Sequence, residues 1–124
     1  QWDDHEVRDN WYDARPLERD TRYTEKRMAL LAARARRAFL DYLPIAIDGD
    51  EPERIYRSRR YGKGLEIFAW DMRSYRGANS PNRQATLTAE SMILGAEQMA
   101  WLKRSLRAST ATWKVIASDM PIGL

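Results

Sequence analysis

The sequence predicts an α/β (α+β) fold, because two stretches carry helical periodicity and others read as short strands. Met28, Leu31, Ala32, Ala35 and Phe39 recur at three- and four-residue intervals, the spacing of one helix face. Residues 65–70 (LEIFAW) and 113–117 (WKVIA) are short runs rich in branched and aromatic side chains, which suit a pleated surface. A second helical pattern covers residues 95–106, with Gln98, Trp101, Leu102 and Leu106 on its inward side.

Taken in order, residues 1–20 are polar, broken by Pro16, and read as a loop. The first helix follows, with Thr24 as its cap and Pro44 as its end. Its stripe is a packing face, and Arg27, Arg34 and Arg37 occupy the other faces. Pro44, Asp48-Gly49-Asp50 and Pro52 are turn chemistry. Residues 55–60 alternate weakly and are joined to 65–70 by Tyr61-Gly62-Lys63-Gly64. A glycine-bearing connection between two such runs predicts a hairpin. Residues 77–83 (GANSPNR) are a loop, and Ser109-Thr110-Ala111 breaks the second helix.

The 124 residues suffice for one small domain. Hydrophobic residues at 44% against 31% charged make the composition globular rather than disordered. Apolar runs fall far below the ~18 residues of a membrane span. The absence of cysteine excludes disulfides and leaves the redox compartment open. The chain starts at Gln1 and stops at Pro121-Ile122-Gly123-Leu124, directly after an apolar run. It reads as an internal piece, residues 1–124, of a single larger domain, with a processed N-terminus as the competing explanation.

The net charge of +3 conceals 17 arginines against 4 lysines. Arg34, Arg36 and Arg37, and Arg54, Arg57, Arg59 and Arg60, are candidates for a polyanion surface, since guanidinium forks match phosphate oxygens. So small a charge excess favours solvated faces or intrachain pairing instead.

The chemistry-bearing residues are concentrated at the start. Asp3-Asp4-His5-Glu6 sets three carboxylates around the only histidine. Carboxylate oxygens suit hard cations, and imidazole exchanges protons near neutral pH. A metal ligand beside a proton donor is what phosphate-ester hydrolysis requires. Trp2 and Trp11 flank the cluster and suggest a walled pocket; the bland alternative is a solvated acidic turn. Asp71, Arg73 and Arg76 follow one predicted strand, and Asp119 follows another. Functional groups gather past strand carboxyl ends in α/β sheets, although an internal salt bridge between Asp71 and an arginine accounts equally well for the first set.

Three segments, WDDHEVRDNW, DMRSYRGANSPN and LGAEQMAWLKRSLRASTATWKVIASDMPIGL, resemble the central part of PhoD-like alkaline phosphatases, within the calcineurin-like metallophosphoesterases. The resemblance runs from Trp2 to Leu124 and is thinnest over residues 13–60. It implies part of a four-layer αββα sandwich with metals at strand ends. It aligns Asp4 with a metal-binding position and His5 with the catalytic histidine. Asp119 stands where relatives carry the histidine of H-x-P, and either keeps the ligand role through oxygen or has lost it. Iron and calcium are the implied metals. The early blocks with Asp, Tyr and Cys ligands, and the late G-D-x-H block, are absent from these 124 residues, so the piece is expected to be inactive alone and to fold poorly.

The implied reaction is hydrolysis of a phosphate mono- or diester by a metal-activated water. His5 would contact the phosphate or protonate the leaving oxygen, and Asp3 or Glu6 would orient the imidazole. Asn10 would bond phosphate or hold a turn, and Arg73 and Arg76 would clamp phosphate. The expected partner is a small phosphate ester, with no nucleic acid as a stable partner and no transmembrane segment. Oligomeric state is left open. Relatives of this kind are typically exported, often by a twin-arginine signal, which implies an extracytoplasmic setting. Two other classes compete: a basic polyanion-binding module, and a structural remnant without chemistry.

Overall fold

The computed structural model describes residues 2–81 and 83–121. Gln1 and the closing Ile122, Gly123 and Leu124 lie outside the described residues, as does Asn82 of the 77–83 loop.

Helix α1 spans Met28–Tyr42. Its residues, rich in Ala, Leu and Arg and free of Gly and Pro, are good helix formers. The helix starts four residues after Thr24, and Arg27 rather than Thr24 holds the N-cap position. The reason is local. Glu25 accepts hydrogen bonds from both the backbone N–H and the guanidinium of Arg27 (2.9 and 2.8 Å), which keeps residues 25–27 out of the helix. At the other end Leu43 N–H still reaches Phe39 O at 3.1 Å, and Pro44 has no N–H to continue. Met28, Ala32, Phe39 and Leu40 are buried, with Leu31 and Ala35 packed alongside.

Strands β1 (Arg57–Tyr61) and β2 (Leu65–Ala69) form the expected hairpin, antiparallel from Arg57↔Ala69 to Tyr61↔Leu65. Tyr61 belongs to the strand, so the connection shortens to residues 62–64, where Gly62 takes φ +63°. Ile55 and Tyr56, expected in the strand, precede it as buried core residues. A 3-10 turn, Ala89–Ser91, was not foreseen. Helix α2 spans Ala96–Ala108, and β3 spans Trp113–Ala117 as expected. Strand β3 pairs parallel to β2, giving the order β1-β2-β3.

Two cores flank this sheet. Trp2, Trp11 and Leu17 from the N-terminal loop join Met28, Ala32, Phe39, Leu40 and Ile55. Phe68, Trp70 and Met72 join Leu102 of α2, with Trp101 and Leu106 against them. Each large apolar side chain removed from water contributes about 1.5–3 kcal/mol. The first core therefore ties down a loop that would otherwise fray.

Candidate active site

Because β2 and β3 are adjacent and parallel, they end at the same edge of the sheet. Asp71, Arg73 and Arg76 leave one strand there, and Asp119 leaves the other. The N-terminal turn closes over this edge. Trp2 and Trp11 meet edge to face at 6.0 Å, and Trp2 meets Phe39 at 5.2 Å. With exposures of 0% and 1%, both tryptophans anchor the turn in the core; Trp2 also lines an apolar cavity with Phe39, Ile45 and Ile55, to which the acidic cluster contributes no wall.

Within the turn, Val7 and Arg8 N–H groups donate to Asp4 O (2.9 and 2.7 Å). Glu6 Oε2 accepts the Asp3 N–H at 2.6 Å, so this carboxylate shapes the turn. Asn10 adopts φ +52°, a region Asn tolerates better than most residues. Its N–H donates to Asp4 Oδ2 at 2.6 Å, and its carbonyl accepts from Asn79 Nδ2 at 2.8 Å. In this geometry Asn10 serves the site through its backbone.

The Asp4 side chain is buried while His5 is largely exposed. His5 Nδ1 lies 3.2 Å from Asp4 Oδ1, and Nε2 lies 3.0 Å from Asp9 Oδ1. The imidazole is therefore held by Asp4 and Asp9, not by Glu6. Burial raises the Asp4 carboxyl, but the Asn10 N–H, Arg73 and His5 together outweigh it and hold its pKa below the ordinary value. Asp3, Asp4 and His5 each offer a ligand atom, all within 4.8 Å of one another.

Arg73 is the hub. Its buried guanidinium sets Nη2 3.4 Å from Asp3 Oδ1 and 3.6 Å from Asp4 Oδ2, and Nε 3.8 Å from Asp119 Oδ2. Nη2 also lies 3.1 Å from Met120 Sδ. Arg76 Nη1 approaches the same sulfur at 3.8 Å. Burial, then the proximity of Arg73, lowers the Arg76 pKa against the pull of Asp119 and Asp4. Arg76 Nε is buried without a hydrogen-bond partner.

Asp119 is the least comfortable group. Its side chain is 1% exposed, and both carboxylate oxygens are buried without a hydrogen-bond partner. Burial, reinforced by the Asp3 carboxyl beside it, pushes its pKa up to about 6. Asp71 does not pair with an arginine guanidinium as one alternative expected. Its Oδ1 accepts the backbone N–H groups of Arg73 and Ser74, both at 2.9 Å.

The nine polar candidates singled out from sequence, Asp3, Asp4, His5, Glu6, Asn10, Asp71, Arg73, Arg76 and Asp119, thus lie in or around one acidic site. Three contributors were missed. Asp9 was findable from its i,i+4 spacing to His5. Gln98, a polar side chain on an inward helix face, was noticed without a role. Asn79, 69 residues from Asn10, gave no local clue. The arginine runs are largely occupied within the chain: Arg36 pairs with Glu53 at 3.2 Å, Arg37 with Asp41 at 2.7 Å and Arg54 with Asp48 at 2.5 Å. Arg57 donates to the carbonyls of Ala46, Arg54 and Ile55.

The family model described as PhoD-like phosphatase matches residues 1–124. Alkaline phosphatase D of Bacillus subtilis (strain 168) is 30% identical over 128 residues, covering 96% of this chain and 21% of that protein. A solved structure titled "Structure of PhoD" superposes with a TM-score of 0.70 at 30% identity, covering 95% of this chain and 24% of that one. The chain thus spans about a fifth to a quarter of the proteins it matches.

Proposed function

Because the chain belongs to the PhoD-like phosphatase family, we propose that it forms the central part of a metallophosphoesterase domain that hydrolyses phosphate mono- and diesters. The observation that carries this reading is Asp119. A carboxylate with a 1% exposed side chain, neither of whose oxygens accepts a hydrogen bond and whose ion-pair contact is Arg73 Nε at 3.8 Å, stands beside Asp3, in a site that also holds Asp4 and His5. Buried polar groups are normally satisfied, so a carboxylate without a hydrogen bond, sharing one arginine with two other carboxylates, fits a hard cation as a further partner.

The donor set is mostly oxygen, which favours hard or highly charged ions, iron and calcium among them. Asp4 and Asp119 would hold such a cation, with Asp3 adjacent. When bound, it supplies positive charge for the phosphoryl oxygens and acidifies the attacking water.

The chain's own residues do the rest. His5 stands exposed at the mouth and donates a proton to the leaving oxygen. Asp9 and Asp4 fix its ring. Arg73 holds three carboxylates at workable separations, while Arg76, with a buried and unpaired Nε, is better placed to meet a phosphoryl oxygen. Ligands from the remainder of the domain complete the site, so these 124 residues alone are inactive. An extracytoplasmic setting belongs to the same proposal and rests on the family resemblance; it would offer calcium at concentrations suited to weak oxygen sites.

The test is metal content and hydrolysis of bis-p-nitrophenyl phosphate by the full-length protein, beside its Asp4→Asn and Asp119→Asn variants. Both variants should lose bound metal and turnover. Retention of metal and activity by both would remove the reading.

A further inference from the structure

We infer that Gln98 is a positioning residue for this site, acting through Arg73; the inference rests on the phosphoesterase reading above. Gln98 sits in the first turn of α2 and is 1% exposed. Its side-chain amide grips both backbone groups of a single residue. Oε1 accepts the Asp71 N–H at 2.7 Å, and Nε2 donates to the Asp71 carbonyl at 2.8 Å. Nε2 also donates to Leu94 O at 2.8 Å.

Asp71 lies just past the end of β2, where the ladder is fading: the last backbone bond to β3 there is Trp70 N–H to Ala117 O at 3.4 Å. Its N–H and carbonyl are buried and need partners. The amide supplies both, in the two-pronged manner of a neighbouring strand. The Asp71 carboxylate then fixes the N–H groups of Arg73 and Ser74. Two side chains thus set the corner from 71 to 74, and that corner delivers the Arg73 guanidinium among Asp3, Asp4 and Asp119.

The same reading gives physical content to the run Gln98-Met99-Ala100-Trp101-Leu102, a Q-x-x-W-L pattern. Leu102 packs in the Phe68 cluster, and Trp101 meets Phe68 at 6.5 Å and Tyr56 at 4.9 Å. These two residues dock α2 on β2. Gln98, one turn earlier on the same face, reaches past the strand end to the functional corner. The apolar part of the pattern is packing and the amide is placement.

A double-mutant cycle in the full-length protein tests this. Gln98→Met keeps length and loses every hydrogen bond; Gln98→Glu keeps the acceptor for Asp71 N–H and loses the donors. Each is made in the wild-type and Arg73→Lys backgrounds, and kcat and KM for bis-p-nitrophenyl phosphate are read per mole of folded protein. Gln98→Met should lower kcat by about 10²-fold, the cost of misplacing a group by about an ångström, with KM changed far less. In the Arg73→Lys background the same substitution should cost under about threefold, because coupled residues are not additive. A crystal structure of the variant should show the Arg73 guanidinium displaced from Asp119.

Equal losses in both backgrounds, an unmoved Arg73, or a lowered Tm with unchanged kcat would each overturn the inference. Should Gln98→Met fail to fold, Gln98→Glu carries the same comparison. An inactive wild type would remove the phosphoesterase reading and this role together, whereas an active wild type indifferent to Gln98 removes this role alone.

Discussion

His5 faces a carboxylate at each ring nitrogen. A neutral imidazole donates at one nitrogen only, so it bonds Asp4 and Asp9 together only when protonated. In the role proposed for His5, the proton passed to the leaving oxygen comes from one of these two contacts. His5→Ala in the full-length protein should therefore lower kcat by about 10²–10⁴-fold. The loss should be larger for alkyl phosphate esters than for p-nitrophenyl esters, whose leaving group needs little protonation. An equal loss for both would show that His5 does not act as the acid. Asp119 yields a second prediction at this scale. Its folded pKa, about 6, exceeds the ordinary 3.8, so between those values the folded state binds more protons than the unfolded. Stability must then fall as pH rises through that window, and the contribution is fully present below it. With metal chelated, the Tm of the full-length protein should decline more steeply from pH 4 to 6 than that of Asp119→Asn. Parallel Tm curves would show that Asp119 is not held protonated by the fold.

At the scale of elements, the sequence pattern was most informative where propensity and punctuation agreed. Strand β3 begins and ends where its apolar run does, and α2 begins directly after Gly95. It was least informative where a side chain intervened, as Glu25 does ahead of α1. The 3-10 turn is also held by side-chain chemistry: Thr88 N–H donates to Ser91 Oγ at 2.8 Å, and Ser91 Oγ donates back to Thr88 O at 2.8 Å. Three residues without an apolar period leave no trace for a periodicity argument. Gly95 shows what one position carries. With φ +75° and ψ 157° it occupies a region nearly confined to glycine, and an added Cβ would stand 2.9 Å from Tyr75 Cβ. Gly95→Ala should cost about 1–3 kcal/mol from the backbone alone, with more from pushing the Tyr75 side chain. Thermal denaturation measures this, and a loss under about 0.5 kcal/mol would mean that the α2 start is more plastic than its geometry implies.

At the scale of the molecule, the site joins segments about 70 residues apart: Arg73 meets Asp3 across 70 residues and Met120 across 47. Individual candidates were legible because the sole histidine sits among carboxylates in the N-terminal turn and because few Asp and Arg residues directly follow strand ends. Their convergence was not, since it depends on β2 and β3 running parallel, which no local pattern states. Among the described residues, the same topology puts β1 and β3 at the two edges of the sheet. β1, at one edge, is arginine-rich, and charged edges resist pairing with other chains. At the other edge, β3 exposes Trp113 at 70%, Val115 at 44% and Ile116 at 41%. Trp113 continues a row through Leu65 to Tyr61 across the sheet, so among the described residues β3 is an outer strand with an apolar face. Expressed by itself, the 124-residue chain should self-associate through this edge, with sedimentation showing mass that rises over the micromolar range. Val115→Lys places a charge on that edge and should restore a lower-mass species without unfolding α2, since Val115 belongs to neither buried core. A wild-type chain that stays monomeric to hundreds of micromolar would show that this flank is tolerated in water, and the expectation of poor folding in isolation would fall with it.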